Sequence, residues 1–395
     1  MVMPESLRIC MVMESSYPVV GGGGAEGQLR TLSRHLCDCG HRVTVVVPMT
    51  PQAPQKEYDE IDGIPLYRIP YPKIRLLGGL VMLFRCAWYL YRKRHQYDVI
   101  HAHIAHRMAA VACIIGWLAR KPVLVKLTGW LETELGVLSR RRLPWLWLMR
   151  RALGRATAFQ ATSRELADRL IEYGFPRARV HLIPNAVDTA RFQPGIPGQS
   201  ELEGGLVFIF VGRLVPEKNL EMLIDAWAQA IPGDSPHRLL LVGKGPLQAL
   251  LERRIRDAGV ARQVSLFGAR PREEVGRLLA AADVGVLVST HEGLSNSLLE
   301  YLAAGLPVIG TRISGTEDWI EDGVNGWLVE SGDTAGLARL LKQVAGMDRQ
   351  VLRDMGTKGR ALIEENASIE SVARSILRLY GVGGASRAAD MERAA

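Results

Sequence analysis

Two glutamates, Glu292 and Glu300, stand eight residues apart in the run STHEGLSNSLLEYLAAGLPVIG, which spans residues 289–310. Glu292 lies in a Gly-containing loop after a continuous apolar stretch, the pattern of a strand buried on both faces. Glu300 lies in a Leu- and Ala-rich stretch that predicts a helix, with Ser295 or Asn296 as its N-cap. The sequence therefore predicts strand, loop and helix in that order, with a carboxylate in the loop and another in the helix.

This order of elements suits a ligand that carries both anionic and hydroxyl groups. The first-turn amides and the dipole of a helix attract an anion such as a phosphate. Carboxylates beside a phosphate would repel it, so Glu292 and Glu300 are better explained as hydrogen-bond acceptors for hydroxyl groups. A sugar nucleotide has both a diphosphate and many hydroxyl groups, and it is the ligand that we expect.

Buried strands alternate with helix-like stretches through both halves of the chain, which predicts α/β architecture with parallel sheets covered on both faces. The predicted strands lie within residues 7–13, 41–48, 97–103 and 122–129 of the first half and 206–211, 239–242, 264–267, 284–288 and 307–310 of the second. Two such halves joined by a linker make a two-lobed protein with a cleft.

The domain boundaries follow from composition. Residues 191–205 are rich in Pro, Gly and polar residues and predict a linker between a domain at 1–190 and a domain at 206–368. An amphipathic helix is predicted at 369–382, and the small, polar residues 383–395 predict a disordered tail.

Two cations follow the first strand of the second half, in the run VGRLVPEKN. Ligands of open parallel sheets bind beyond the carboxyl ends of the strands, so Arg213 and Lys218 should share a rim with the Glu292 loop. Together they can neutralise a diphosphate leaving group. The alternative is that they are two solvated surface cations.

The first half offers a glycine run and a histidine pair. Gly22 and Gly23 follow the first strand, where they can bring the backbone close to a diphosphate or a sugar or simply form a flexible turn. The run is not GxGxxG, which argues against a dinucleotide site. His101 and His103 share a face of the strand in YDVIHAH, where a structural hydrogen bond is the alternative to a role in the site.

The Glu292–Glu300 spacing with its AAGLPVI continuation resembles the signature of family 4 glycosyltransferases, which are retaining enzymes of the two-domain GT-B fold. The resemblance extends to VGRLVPEKN, to IPNAVD at residues 183–188 and to GTEDWIEDGVNGWLV at residues 315–329. It implies two Rossmann-like domains facing each other across a central cleft. The first would bind the acceptor and the second the nucleotide sugar, with the C-terminal helix crossing back to the first.

The resemblance also implies roles for individual residues. Arg213 and Lys218 would bind the diphosphate, and His103 would lie near the donor sugar. Many relatives carry His-Gly where this chain has Thr128-Gly129, which leaves any acid, base or acceptor role at that point in doubt. The predicted catalytic residues are thus Glu292, His103, Arg213 and Lys218. The predicted substrate-binding residues are Gly22, Gly23, Gly243, Gly245, Gly268, Arg270, Gly293, Leu294, Ser295, Asn296 and Glu300, of which the loops at 242–246 and 267–270 would contact the nucleoside.

The predicted activity is transfer of a sugar from a UDP- or GDP-sugar to a lipid-linked, glycolipid or polysaccharide acceptor, with retention of configuration. The chain contains no Asp-x-Asp sequence, so we expect no metal and no cofactor, with cations and a helix dipole acting on the diphosphate instead. The alternatives are a sugar-nucleotide epimerase or hydrolase of the same fold and an inactive membrane-associated scaffold.

Composition and charge indicate the class of protein and the kind of partner. The 395 residues are 48% hydrophobic and 23% charged, as in a soluble globular protein, and the five cysteines show no metal spacing and are expected to be reduced. Residues 1–190 hold 26 Lys and Arg against 15 Asp and Glu, so most of the positive charge lies there. No nucleic-acid motif accompanies it, and an anionic membrane surface is the expected partner.

Two segments of the first half combine cations with aromatic residues. Residues 68–95 contain seven Lys and Arg, no Asp or Glu, and many Leu, Trp and Tyr, and residues 140–155 repeat the pattern around Trp145 and Trp147. Cations beside Trp and Leu suit a helix in the headgroup region of an anionic bilayer, although the apolar residues can instead pack into the domain. With no signal peptide or spanning segment recognised, we expect a cytoplasmic protein peripherally associated with the inner face of the membrane.

Overall fold

The computed structural model describes residues 6–18, 24–50, 55–74, 77–129, 136–137, 139, 144–195 and 204–392. The chain divides into two compact units. Unit 1 is Met1–Ala186 with Ile369–Ala395, and unit 2 is Val187–Ser368. Each unit is an α/β domain with its own sheet, as the alternation of strands and helices predicts.

Unit 1 has an eight-stranded sheet in the order β3-β4-β2-β1-β5-β6-β7-β8, in which only the β3–β4 pair is antiparallel. Its strands are β1 (Arg8–Met13), β2 (Arg42–Pro48), β3 (Tyr58–Ile61), β4 (Ile64–Ile69), β5 (Val99–His103), β6 (Val123–Leu127), β7 (Ala158–Ala161) and β8 (Val180–Leu182). Its described helices are α1 (Gly24–Asp38), α2 (Leu77–Arg92), α3 (Arg107–Leu118), α4 (Pro144–Leu153), α5 (Arg164–Glu172) and the C-terminal helix α13 (Ile369–Glu392).

Both faces of this sheet are covered. Leu29 and Leu32 of α1 pack with Ile376 of α13 on one face. On the other face the buried sides of α2, α3 and α4 share a second apolar cluster. The central strands are therefore buried on both faces, which explains why they read as continuous apolar runs.

Unit 2 has a six-stranded parallel sheet in the order β11-β10-β9-β12-β13-β14. Its strands are β9 (Val207–Val211), β10 (Arg238–Val242), β11 (Val264–Gly268), β12 (Val284–Leu287), β13 (Val308–Thr311) and β14 (Gly326–Val329). Its described helices are α6 (Leu220–Ala230), α7 (Gln248–Asp257), α8 (Arg272–Ala280), α9 (Asn296–Ala303), α10 (Ser314–Glu317), α11 (Thr334–Ala345) and α12 (Arg349–Asn366).

Strand order creates a switch point in each sheet. In unit 2 the chain builds outward from β9 through β10 and β11, then returns to place β12 on the other side of β9. In unit 1, β1 lies in the same way between β2 and β5. The crevice beyond the carboxyl ends of such strands is where open α/β sheets bind ligands.

The predicted linker is partly a packed segment of unit 2. The unit begins at Val187, and the chain from there to 195 lies against its helices. A Cβ on Gly195 would overlap the carbonyl oxygen of Ala280, and the Pro194 ring packs on Gly305. The Pro and Gly content that predicted a linker from 191 therefore serves close packing over 191–195.

The C-terminal helix begins at Ile369, as its amphipathic sequence predicts, and belongs to unit 1. It continues to Glu392, ten residues past its expected end at 382. The prediction of disorder from 383 therefore differs from the structure over 383–392. The residues concerned include Ala388, Ala389 and Glu392, which are good helix formers.

All five cysteines are free thiols. Within the described residues, none of the helices combines the length and the apolar character that crossing a bilayer requires.

Candidate functional site

The loops after β9 and β12 meet at the switch point of unit 2. The Thr290 amide donates to the Glu217 carbonyl over 2.9 Å, which ties the two loops together. Lys218 forms an ion pair with Glu292, whose Oε1 also accepts from the Ser289 hydroxyl over 2.8 Å. Both side chains of the pair are mostly buried, at 13% and 16% exposed. A cation and a carboxylate that lie 74 residues apart in sequence thus form one polar centre.

Arg213 is a second cation of the loop that follows β9. It follows β9 by two residues and its side chain is exposed. The loop that carries it is held by a hydrogen bond from the Gly212 amide to the Val242 carbonyl, 2.9 Å long. The loop beyond β9 therefore has a fixed backbone and a solvent-accessible guanidinium, and the role of Arg213 in binding a diphosphate stays a prediction.

The helix α9 starts at the same rim and is clamped to the end of β9. The Ser297 hydroxyl donates to the Val211 carbonyl over 2.6 Å, and the Val211 amide donates to the Tyr301 hydroxyl over 2.6 Å. Ser295 is the N-cap, and its side chain makes no capping hydrogen bond to the first turn. The position of this helix N-terminus is therefore fixed without use of the Ser295 hydroxyl.

Glycine in β12 makes this clamp possible. The Tyr301 ring is fully buried, and a Cβ on Gly285 would lie 2.6 Å from a ring carbon. Neither Tyr301 nor Ser297 stands out in the sequence as a functional residue. The signal that could have found them is Gly285, a glycine inside an otherwise apolar buried strand, which marks a close approach.

Glu300 lies on the buried side of α9 and faces the start of α8. Arg272 donates to its Oε1 over 3.0 Å, and the Glu300 side chain is only 10% exposed. Burial raises the pKa of Glu300, and the charges of Arg272 and Arg191 oppose that shift. The two glutamates of the motif thus have different partners, Lys218 for one and Arg272 for the other.

The predicted glycines of the nucleoside loops have a packing role. A Cβ on Gly243 would overlap the carbonyl oxygen of Gly212, and one on Gly245 would overlap that of Leu214. The Gly243 amide also donates to the Gly268 carbonyl over 2.8 Å. Backbone contacts and a backbone hydrogen bond therefore join the loops after β9, β10 and β11. Close packing of these backbones requires glycine at positions 243 and 245.

Three further predicted residues are placed as follows. Arg270 folds back onto the Phe267 carbonyl at 2.9 Å and pairs with Glu274 at 3.4 Å. Leu294 is buried in the core of unit 2, so its side chain packs inward. Gly293 lies against Gly315, where a Cβ would meet its carbonyl oxygen at 2.5 Å. The Glu292 loop is thus supported from the α10 side as well.

In unit 1, His103 ends β5 next to β1, at the switch point of that sheet. Its ring stacks on His101 at 4.2 Å between centroids, and His101 Nδ1 is 2.8 Å from the Tyr380 hydroxyl of α13. Among the described residues, no partner is found for His103 Nε2 or His101 Nε2, and both atoms are buried. Gly22 and Gly23 lie outside the described residues.

Burial and a neighbouring cation keep both histidines neutral. Desolvation, with the charge of Lys126, lowers the pKa of His101 to about 3. The same causes, together with the charge of His101, hold the pKa of His103 well below its usual range. Thr128 follows β6, the strand that carries Lys126 opposite His103. A neutral imidazole can donate or accept one hydrogen bond at Nε2, which suits contact with a sugar hydroxyl.

Comparison with known proteins identifies the family. The model for Glycosyltransferase Family 4 matches residues 22–191, and the model for Glycosyl transferases group 1 matches residues 205–347. The chain belongs to the group 1, family 4 glycosyltransferases. This glycosyltransferase has the GT-B fold that the resemblance implies.

Two curated relatives are similar over nearly the whole chain. The 2-deoxystreptamine glucosyltransferase of Streptomyces kanamyceticus is 27% identical over 384 residues, which cover 89% of this chain and 97% of the relative. The N-acetyl-alpha-D-glucosaminyl L-malate synthase of Bacillus anthracis is 25% identical over 380 residues, which cover 92% and 94%. Both names denote transfer or joining of a sugar.

Solved structures agree on the fold. HepE of Anabaena in complex with UDP superposes with a TM-score of 0.76 at 22% identity, covering 95% of this chain and 100% of that one. WaaG, a glycosyltransferase involved in lipopolysaccharide biosynthesis, superposes with a TM-score of 0.69 at 18% identity, covering 94% and 99%.

Replacement of Glu300 by Gln should separate stability from activity in this glycosyltransferase. A carboxylate whose pKa is raised on folding costs stability as the pH rises through that pKa, because the folded state then loses its proton less readily than the unfolded state. We therefore compare the unfolding free energy of Glu300→Gln with that of the parent at two pH values. The difference, variant minus parent, should be more positive at pH 7 than at pH 4. Donor affinity should fall about tenfold or more, because a neutral amide accepts more weakly from hydroxyl groups.

Denaturant titrations at the two pH values, paired with donor titration calorimetry, check both expectations. Arg272→Gln is the companion variant, because it removes the compensating charge and should shift stability in the opposite direction at pH 7. A variant Glu300→Gln that binds the donor like the parent would contradict the role of this residue in the site.

The histidine pair predicts acid lability of unit 1. A histidine whose pKa is lowered by folding binds a proton more readily when unfolded, so its contribution is present at high pH and lost as the pH falls. Below about pH 6.5 each such histidine should lower the free energy of unfolding by about 1.4 kcal/mol for every unit that the pH falls. Unfolding of the parent and of His103→Gln, followed from pH 7.5 to 4.5, should show a shallower slope for the variant; equal slopes would contradict the prediction.

Proposed function

We propose that this glycosyltransferase moves a sugar from a nucleoside-diphosphate sugar, UDP- or GDP-linked, to a lipid-linked, glycolipid or polysaccharide acceptor, with retention and without a metal ion. The observation that carries the proposal is the Lys218–Glu292 pair beside the N-terminus of α9, at the switch point of the sheet in unit 2. Cation, carboxylate and helix N-terminus together match a ligand that has both a diphosphate and sugar hydroxyl groups.

In this proposal the leaving diphosphate is stabilised by charge. Arg213 is exposed and free to approach a phosphate, and the first turn of α9 adds backbone amides and a positive dipole end. Lys218 exchanges its contact with Glu292 for a phosphate oxygen. That exchange releases an oxygen of Glu292, which accepts a hydrogen bond from a hydroxyl of the transferred sugar, while Glu300 accepts from the ribose.

The chemical step keeps atoms and charge in balance. The bond between the anomeric carbon and the diphosphate oxygen breaks, and the acceptor oxygen forms its bond to that carbon on the same face. The acceptor proton passes to the departing phosphate oxygen, so no side chain forms a covalent intermediate. His103 is neutral and supplies a hydrogen bond to the donor sugar. The catalytic gain then comes from charge stabilisation of the leaving group.

Several relatives support an acceptor of the cell surface. The lipopolysaccharide core biosynthesis glycosyltransferase LpsE of Rhizobium meliloti is 31% identical over 215 residues, which cover 54% of this chain. The putative colanic acid biosynthesis glycosyltransferase WcaL of Salmonella typhimurium is 29% identical over 225 residues. These likenesses support a part in glycan biosynthesis. The proposal that the enzyme is cytoplasmic and works at the inner face of a membrane draws instead on the basic first half of the chain.

The proposal is tested by proton NMR of the purified protein with UDP-, GDP- and ADP-sugars in EDTA, first without acceptor and then with a lipid extract. Cleavage of one donor with release of the same anomer is the expected result, and added Mg²⁺ should not change its rate. Release of the opposite anomer would overturn retention. Activity that appears only on addition of metal would overturn metal independence.

The matched control is Arg253→Ala. Arg253 is a well-exposed cation of α7, and its ion pair within the part of the chain that the structure describes is with Asp257 on its own helix. Its removal should leave the rate unchanged, whereas Arg213→Ala should lower it. Equal rates for parent, control and Arg213→Ala would place the reaction elsewhere. A donor converted to its epimer instead of being transferred would favour the epimerase alternative.

A further inference from the structure

Helix α2 carries large apolar side chains on both of its faces. One face is buried in unit 1 through Met82, Cys86 and Leu90, which recur every four residues. The other face repeats at spacings of three and four and is exposed, with Phe84 at 70% and Trp88 at 55%. Its members are Leu77, Leu80, Phe84, Trp88 and Tyr91. The domain core therefore accounts for only one face of this helix.

The neighbouring helices extend this apolar surface. Helix α3 packs against both α2 and α4, so the three helices are adjacent on one side of the sheet. Exposed apolar residues continue across them, including Trp117 at 53% and Trp147 at 62%. The full set on α3 and α4 is Ile114, Trp117, Leu118, Trp145, Trp147 and Leu148. We call the exposed apolar residues of α2, α3 and α4 the three-helix face.

Arginines accompany the rings of the three-helix face. Arg92 lies over Trp88 at 5.2 Å, and Arg151 lies over Trp147 at 5.7 Å. Arg155, just after α4, lies over Trp117 of α3 at 5.1 Å and so joins two of the helices. None of the three helices contains an Asp or Glu. The three-helix face is thus made of apolar side chains, and the charged side chains on its helices are all cationic.

We propose that the three-helix face is the membrane-docking surface of this enzyme and that its occupant is the headgroup layer of an anionic bilayer. Exposed Trp and Tyr flanked by Arg are the composition that lies in the interface of a membrane. Cations near an anionic surface add attraction. The absence of acidic residues from all three helices matches a surface of a single, negative sign.

A second copy of this chain fits the face less well. Two such faces would bring Arg92, Arg151 and Arg155 of one copy against the same arginines of the other, with no acidic residue of these helices to compensate them. A bilayer supplies both the anionic groups and an apolar layer for Phe84 and Leu80. The chemistry of the face therefore favours lipid over self-association.

The inference rests on the proposed function only for the idea that the acceptor is membrane-borne. Vesicle binding is measured without donor or acceptor, so its failure leaves the transfer assay standing, and failure of transfer leaves docking standing. The probe is co-sedimentation of the full chain with phosphatidylglycerol–phosphatidylcholine vesicles and with pure phosphatidylcholine vesicles, at low and high salt. Quenching of Trp fluorescence by brominated lipid reports insertion.

The test variants remove exposed groups and so spare the core. Phe84→Ser with Trp147→Ser deletes apolar contacts, and Arg92→Glu with Arg151→Glu reverses two charges. The matched controls lie in unit 2: Leu250→Ser with Val351→Ser, and Arg253→Glu with Arg339→Glu. Thermal melts establish that each variant is folded. Either double variant of the three-helix face should bind anionic vesicles at least about tenfold more weakly, with both controls unchanged.

Each outcome of the vesicle assay either supports or overturns membrane docking through the three-helix face. Binding to anionic vesicles that is weaker on neutral lipid, falls at high salt and is lost only in variants of the face supports the proposal. Absence from both pellets would overturn it, as would an equal loss of binding in the controls. A parent that is dimeric by light scattering, becomes monomeric in Phe84→Ser with Trp147→Ser and ignores lipid would show that a second copy covers the face.

Discussion

Replacing Arg213 with Ala should lower kcat about 100- to 1,000-fold and leave the fold intact, because a preorganised charge at the leaving group contributes on that scale. The side chain is exposed, and its loop is held by backbone hydrogen bonds that the substitution does not touch. The unfolding free energy should therefore change by no more than about 0.5 kcal/mol. Steady-state rates with the donor found by the NMR panel, and a denaturant titration, measure the two quantities.

Lys218→Gln should behave differently from Arg213→Ala, and the contrast tests the assignment. Lys218 forms an ion pair with the mostly buried Glu292, so its removal should lower both kcat and stability. The conservative variant Arg213→Lys should keep part of the rate that Arg213→Ala loses, because the positive charge is retained while the two-pronged geometry of the guanidinium is lost. If Arg213→Ala had the parent rate, the diphosphate would not be held at this rim, whatever the effect of Lys218→Gln.

The features that the sequence predicted well are those determined by residues close together along the chain. The strand–loop–helix around Glu292, an N-cap at Ser295 or Asn296 and the place of Arg213 beyond a strand all follow from local patterns, because apolar runs, caps and rim loops are set by neighbouring residues. The family itself was recognisable from these runs. The parallel sheets follow from the alternation of elements.

Pairings between distant residues were not readable in the same way. Lys218 could have faced solvent, and only the meeting of two loops sets it against Glu292; Arg272 meets Glu300 for the same reason. Helix α3 shows a different limit. Its sequence RMAAVACIIGWL is apolar on every side, so periodicity cannot tell that Trp117 is exposed while Met108 is buried. That distinction depends on which helices flank it.

Gly243→Ala should destabilise unit 2 by about 3 kcal/mol or more, because the new methyl group would overlap a backbone atom and cannot be relieved by a side-chain rotation. The backbone here has φ of +149°, where a side chain is strained in any case. A loss of this size should lower the Tm of the unit by about 6–12 °C. Differential scanning calorimetry of the full chain, without donor, measures it.

Gly233→Ala is the control, since a Cβ at Gly233 meets nothing within 4 Å. It should leave Tm nearly unchanged. The comparison separates two explanations for glycine in the loop after β10: a glycine needed only for approach of the nucleoside would leave the Tm of Gly243→Ala at the parent value while donor binding weakened. We expect Gly243→Ala to lower the Tm in the absence of ligand. That result would mean that backbone contacts between the loops form the rim before any nucleotide binds. Under the proposed function, the nucleotide would bind a surface whose shape those contacts have already set.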